Sequence, residues 1–260
     1  ESIAIDSSGN VYVTGETYDA ATDFPTTAGA YNQTVNGGVD VFVSKFSNTL
    51  ANLTASTFVG GGGNEYGYSV AIDSSGNVYV TGKCGNTGII PFPTTAGAYD
   101  QTFNGGNYDV FVSKFNSALT TLSASTFIGG NSDEAGIGIV MDSSGNVYVT
   151  GETFDTGVDF PTTAGAYDTT HNGSYDVFVS KFNSTLANLT ASTFIGGSDI
   201  DSGRALLIDS SGNVYVTGYT TDAATDFPTT AGAYDQIING GVDVFVSKFN
   251  STLANLTAST

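Results

Sequence analysis

The amino-acid sequence predicts an all-β protein, a β-propeller of four blades, each a four-stranded antiparallel sheet of about 67 residues. Three observations lead there. One unit is restated four times and accounts for the whole chain. Its apolar residues alternate with period two. No stretch carries the 3.6-residue period of a long amphipathic helix.

The repeat is read from two strings. "DSSGNVYVTG" begins at Asp6, Asp73, Asp142 and Asp209, with spacings of 67, 69 and 67 residues. "DVFVSKF" begins at Asp40, Asp109, Asp176 and Asp243, spaced 69, 67 and 67. The repeats run approximately over 1–67, 68–136, 137–203 and 204–260, and read as one propeller domain.

Within a unit, strand a is "SIAID", with counterparts "SVAID", "GIVMD" and "ALLID". The turn "SSGN" follows, where Asp and Ser side chains bond to the backbone and Gly supplies positive φ. Strand b is "VYVTG". Strand c, "DVFVSKF", puts Val41, Val43 and Lys45 on one face and Phe42, Ser44 and Phe46 on the other. Strand d, "LTASTF", follows the turn "SNTLAN". Bulky residues on both faces of b and c suit a sheet sandwiched between others, so radial stacking is favoured over a linear solenoid.

Composition narrows the function. Six Lys plus Arg against twenty-five Asp plus Glu give a net charge of −19, a field that repels nucleic acid and anionic lipid. Only 12% of residues are charged, so the chain is cation-poor more than acid-rich. No apolar run approaches the ~20 residues of a membrane-spanning helix. One cysteine, Cys84, excludes an intrachain disulfide and reads as a chance substitution in a tolerant loop. The chain opens at "ESIAID" without an initiator Met or signal peptide, and reads as a piece of a longer repetitive protein.

Between strands b and c lies a connection of about 24 residues, long for a hairpin. It holds "DFPTTAGAY" at Asp23–Tyr31, Asp159–Tyr167 and Asp226–Tyr234, and "PFPTTAGAY" at Pro91–Tyr99. Two roles fit. The phrase seals a blade edge or the joint between blades, with Phe and Tyr as anchors. Alternatively, four copies present a contact surface. Its candidate residues are Asp23, Phe24, Pro25 and Tyr31; Phe92, Pro93 and Tyr99; Asp159, Phe160, Pro161 and Tyr167; and Asp226, Phe227, Pro228 and Tyr234.

Calcium takes six to eight oxygens, so acidic turns are its candidate sites. Asp73, Asp142 and Asp209 begin the "DSSGN" turns, though a hairpin turn explains them more simply. Eight residues before each of them stands an acid in the d-to-a loop, Glu65, Glu134 or Asp201, with Asp133 and Asp199 nearby. The periodic Lys45, Lys114, Lys181 and Lys248 suit pairing with a neighbouring acid or an edge position. His171 stands alone and reads as a solvated loop residue. Sequons mark Asn32, Asn52, Asn172, Asn183, Asn188, Asn250 and Asn255 for glycosylation. No triad, phosphate-cradling loop or zinc spacing is present, which points away from an enzyme.

The hairpin "SVAIDSSGNVYVTG" is similar to that of NHL-type propeller repeats. The whole unit, with "DSSGNVYVTG", "DFPTTAGAY", "GGVDVFVSKF" and "STFVGG", resembles the SBBP family of bacterial and archaeal surface β-propeller repeats. That resemblance implies an extracellular or cell-surface location. Family propellers are usually larger, so four units would close a small ring or be part of a bigger one. The expectation is a structural or interaction module that self-assembles into a surface filament or layer. The alternative is a propeller that binds surface glycans or proteins through the four long loops. Neither nucleic acid nor membrane insertion is expected.

Overall fold

Each repeat folds as its period-two pattern requires, into one antiparallel sheet with strands in sequence order. A computed structural model describes residues 1–18, 24–85, 89–154, 159–221 and 226–260. Asp23, at the head of the first phrase, lies outside the described residues. Blade 1 contains β1 (Ser2–Ile5), β2 (Val11–Thr17), β3 (Asp40–Phe46) and β4 (Leu53–Val59). Blade 2 contains β5 (Glu65–Ile72), β6 (Val78–Gly85), β7 (Tyr108–Phe115) and β8 (Leu122–Ile128). Blade 3 contains β9 (Asp133–Met141), β10 (Val147–Phe154), β11 (Asp176–Phe182) and β12 (Leu189–Ile195). Blade 4 contains β13 (Asp201–Ile208), β14 (Val214–Thr220), β15 (Asp243–Phe249) and β16 (Leu256–Ser259). The all-β, four-sheet architecture expected from the sequence is the one observed. Among the described residues no helix is long and apolar enough to cross a membrane.

Two compact units divide the chain. The first spans residues 1–103, 107–128 and 185–187, and the second 104–106, 129–184 and 188–260. In the first, β5 of blade 2 packs across β1, β2 and β3 of blade 1. Val41, Val43, Val70, Phe115 and Leu119 join one core there. In the second unit β13 packs across β9, β10 and β11, and Val177, Val179, Leu206, Phe249 and Leu253 form the matching core.

Strand a departs from the sequence reading. It starts at the acid, at Glu65 or Asp201, because a register shift between Gly67 and Ser69, or between Gly203 and Ala205, lets pairing continue past the glycine. Glu65 and Asp201 are therefore buried strand residues and not members of an exposed loop. Gly67 also lies so close to blade 1 that an added Cβ would meet Val41 Cγ1 at 2.6 Å.

Cys84 is corrected likewise. It lies in β6, fully buried, at the place Thr17, Thr153 and Thr220 hold in the other repeats. Its thiol donates to the Asp109 carbonyl at 3.6 Å, and burial pushes its pKa up.

The a-to-b turn is built as its residues suggested. In blade 2 the Asp73 carboxylate accepts the Ser75 and Asn77 backbone N–H groups, each at 2.9 Å, and the Asn77 side-chain amide at 2.7 Å. Gly76 takes a φ of +81° that completes the turn. Against a burial penalty that would raise it, those bonds hold Asp73 below the usual carboxylate range. Asp142 and Asp209 repeat the arrangement.

Candidate functional site

The repeated phrase does three things. First, it covers strand d, the outer edge of each blade. Thr27 N–H donates to Ser56 O at 3.1 Å, and Ser56 N–H returns a bond to Thr27 Oγ1 at 2.9 Å. Phe58 N–H reaches Asn32 O at 3.0 Å. Thr95 with Ser125, Thr163 with Ser192 and Thr230 with Ser259 repeat the first bond. An edge whose backbone groups are taken this way is closed to stray strand pairing.

Second, the phrase seals its own blade with a phenylalanine. Phe24 packs on Phe42 with ring centroids 4.5 Å apart and on Phe58 at 5.6 Å. Phe92, Phe160 and Phe227 repeat this and are buried, at 7%, 3% and 5% exposure. Phe92, Phe160 and Phe227 are core residues and Phe24 is half-buried, so what the phrase leaves toward solvent is chiefly its other side chains. Pro25, Asp159 and Asp226 are exposed, and Pro93, Pro161 and Pro228 are half-buried.

Third, its tyrosine reaches the following blade. Tyr31 N–H donates to the carbonyl of Leu119, in the c-to-d turn of blade 2, at 2.9 Å, and its ring meets Phe115 edge-on at 5.7 Å. In the second unit Tyr167 N–H donates to Leu253 O at 2.9 Å and its ring meets Phe249 at 5.8 Å. The accepting leucines hold a left-handed backbone, with φ of 56° at Leu119 and 57° at Leu253, and are fully buried. A branched side chain there costs about 1 kcal/mol or more, which the burial of a leucine offsets. Tyr99 is at the edge of exposure, at 36%.

The candidate metal residues separate into two settings. Asp73, Asp142 and Asp209 spend their oxygens on the turn. Glu65, Glu134 and Asp201 are buried, while Asp199 is exposed and Asp133 half-buried. Among the described residues no three His, Cys, Asp or Glu side chains gather closely enough to hold a metal ion. Of the sequon asparagines, Asn52, Asn172, Asn188 and Asn255 are exposed; Asn32, Asn183 and Asn250 are half-buried. The periodic lysines lie over tyrosine rings, Lys45 on Tyr12 and Lys248 on Tyr215 at 5.0 Å each, with Asp6 and Asp209 3.9 Å away. His171 is not simply solvated: its ring packs edge-on against Phe194 and Nε2 lies 3.1 Å from Thr153 O.

Residues 1–24, 56–88 and 192–228 match the sequence profile of SBBP, a beta-propeller repeat. Over those three stretches the chain is similar to SBBP repeats. No curated protein matches the chain. Two of the SBBP stretches, 56–88 and 192–228, run from strand d of one blade into strands a and b of the next, so the recognised unit includes the joint.

Sequence reading missed the other half of that joint. Val41 and Val43 are fully buried under blade 2, as Val177 and Val179 are under blade 4. Their counterparts Val244 and Val246 are 75% and 47% exposed. Tyr234, the counterpart of Tyr31, is 100% exposed, and Asp243, Ile237 and Val244 line a cavity of about 250 Å³ beside it. On the opposite kind of face, Ile3 is 67% exposed where Val70 is 5%, and Leu50 is 64% exposed where Leu119 is 0%.

Proposed function

We propose that the chain is a non-catalytic structural module working outside the cell, and that copies of it join head to tail. The observation that carries this reading is the uncovered face of blade 4. It exposes the residues that blades 1 and 3 bury beneath a following blade, in the same order. The occupant it fits is the first blade of a second copy. That blade presents Ile3 in the place of Val70 and the exposed Leu50 turn in the place of Leu119. Tyr234 N–H would then meet Leu50 O as Tyr167 N–H meets Leu253 O within the chain. Apolar area drives the contact and the backbone bond fixes its register. The cation-poor surface and the SBBP resemblance support an extracellular setting.

Sedimentation velocity over a concentration series, with electron microscopy of the same samples, tests the reading. Wild type is expected to form open chains that lengthen with concentration. Val246→Asp and Ile3→Asp should each stop growth, and an equimolar mixture of the two should pair through the intact ends. A wild-type chain that stays monomeric at every concentration overturns it.

A further inference from the structure

The first unit contains a pair of carboxyls that the turn chemistry, the edge cover and the docking face leave unexplained. Asp40, at the start of β3, and Glu65, at the start of β5, are both fully buried. They come together above Gly60, where an added Cβ would lie 2.6 Å from both Asp40 Cγ and Glu65 Oε2. Each acid spends one oxygen on a backbone donor. Asn36 N–H reaches Asp40 Oδ2 at 2.9 Å, and Gly61 N–H reaches Glu65 Oε2 at 2.9 Å. Asp40 Oδ1 and Glu65 Oε1 are left with no hydrogen-bond partner. Among the described residues no lysine or arginine reaches either carboxyl.

We infer that Asp40 and Glu65 hold one proton between them, and that this shared proton is a part of the blade joint which alkali removes. Two carboxylates cannot both stay ionised in a buried space without a cation. One proton held between Asp40 Oδ1 and Glu65 Oε2, the two oxygens gathered over Gly60, leaves a single negative charge for the backbone N–H groups to bear. Calcium fits less well, since it needs six to eight oxygens and, among the described residues, no three acid, histidine or cysteine side chains gather closely enough to hold a metal. Burial first, then the Asp40 charge, pushes Glu65 up to about 8. Burial also raises Asp40.

The groups facing the pair agree. From β6 comes Cys84, directly opposite Glu65 in register, and beyond it Asp109 of β7; from β2 comes Thr17, opposite Asp40, with Glu16 beside it. None is a cation. The Cys84 thiol already donates to Asp109 O. In the second unit Thr153, the counterpart of Cys84, instead donates its hydroxyl to Glu134 Oε1 at 3.3 Å. That unit also repeats the close pair, with Asp176 and Asp201 each 2.8 Å from a Cβ added at Gly196.

The sign follows from the raised value. Folded Glu65 keeps a proton that the unfolded chain releases near 4.5, so joint stability is full below that pH and falls until about pH 8. Hydrogen exchange of the whole chain, read on peptides covering residues 60–72 between pH 5 and 9, tests this. After correction for intrinsic exchange, wild-type protection should fall by up to about tenfold per pH unit through the window. Glu65→Gln should flatten the profile, because an amide donates to Asp40 and does not titrate. Cys84→Thr, which adds a hydroxyl donor, should move the fall to lower pH. If Glu65→Gln fails to fold, the wild-type profile and the infrared carbonyl band of a protonated acid at pH 6 decide. Flat wild-type protection overturns the proposal, as does absence of that band. Protection restored at pH 9 by millimolar calcium would replace the proton with a cation and overturn it as well.

Discussion

Blade 1 and blade 4 share the string "DVFVSKF" in strand c, yet Val43 is fully buried and Val246 is 47% exposed. Neither strand differs from the other in anything local. What differs is whether strand a of another blade lies across it. Burial in this protein is thus a property of the joint between repeats and not of the repeat. Within a blade, the strand order and the Phe stacking on strand c recur in all four repeats; between blades, one face decides whether the same valine is core or surface.

The comparison is broken most directly by putting a charge on both faces. Val43→Asp should destabilise the first unit by about 3 to 5 kcal/mol, because an unpaired carboxylate is then buried at the joint. Val246→Asp should cost the isolated chain about 0.5 kcal/mol or less. Urea unfolding monitored by tyrosine fluorescence separates the two, and similar costs would mean that the faces are not distinct.

The turn leucines sharpen it. Leu119 and Leu50 share the left-handed backbone, with φ of 56° and 58°, but Leu119 is fully buried and Leu50 is 64% exposed. Alanine keeps the strain at both positions and removes only the packing. Leu119→Ala should cost about 2 to 4 kcal/mol and Leu50→Ala under about 0.5 kcal/mol, read as shifts in the urea midpoint. Leu50→Gly, which relieves the backbone with no burial to lose, should raise the midpoint slightly.

The lysines give the smallest effect. Lys45→Ala and Lys248→Ala each remove a contact over a tyrosine ring, worth about 0.5 to 1 kcal/mol. The ring contact lies within one blade, but Lys45 Nζ also donates to the Ser117 carbonyl of blade 2 at 3.5 Å, so Lys45→Ala should cost a few tenths more than Lys248→Ala. A large difference in a thermal melt would show that this face too depends on its neighbour.

Much of this was legible in the sequence. The four strands, the Asp and Gly of the hairpin turn and the anchoring role of Phe and Tyr all follow from local chemistry, which the chain restates four times. Three features were not. Glu65 read as a loop acid because a bulge at Gly67 hides the continuation of the strand from any period-two pattern. Cys84 read as a loop residue because its strand runs on past "VYVTG", where a buried position is held by Thr in the sister repeats. The exposure of Val244 could not be read from a string identical to one that is buried. Local pattern specifies an element; a joint is specified by which elements meet.

One consequence of the joint concerns inheritance. Its parts, the tyrosine of the phrase, the valine pair of strand c, the leucine of the turn and the glycine of strand a, occupy fixed places within the repeat. A blade therefore needs no particular neighbour. An exchange between near-identical stretches of the gene that adds or removes one whole repeat leaves a chain in which each blade still finds its counterpart. The number of blades can then change in a single genetic step, with no second mutation needed to repair the fold.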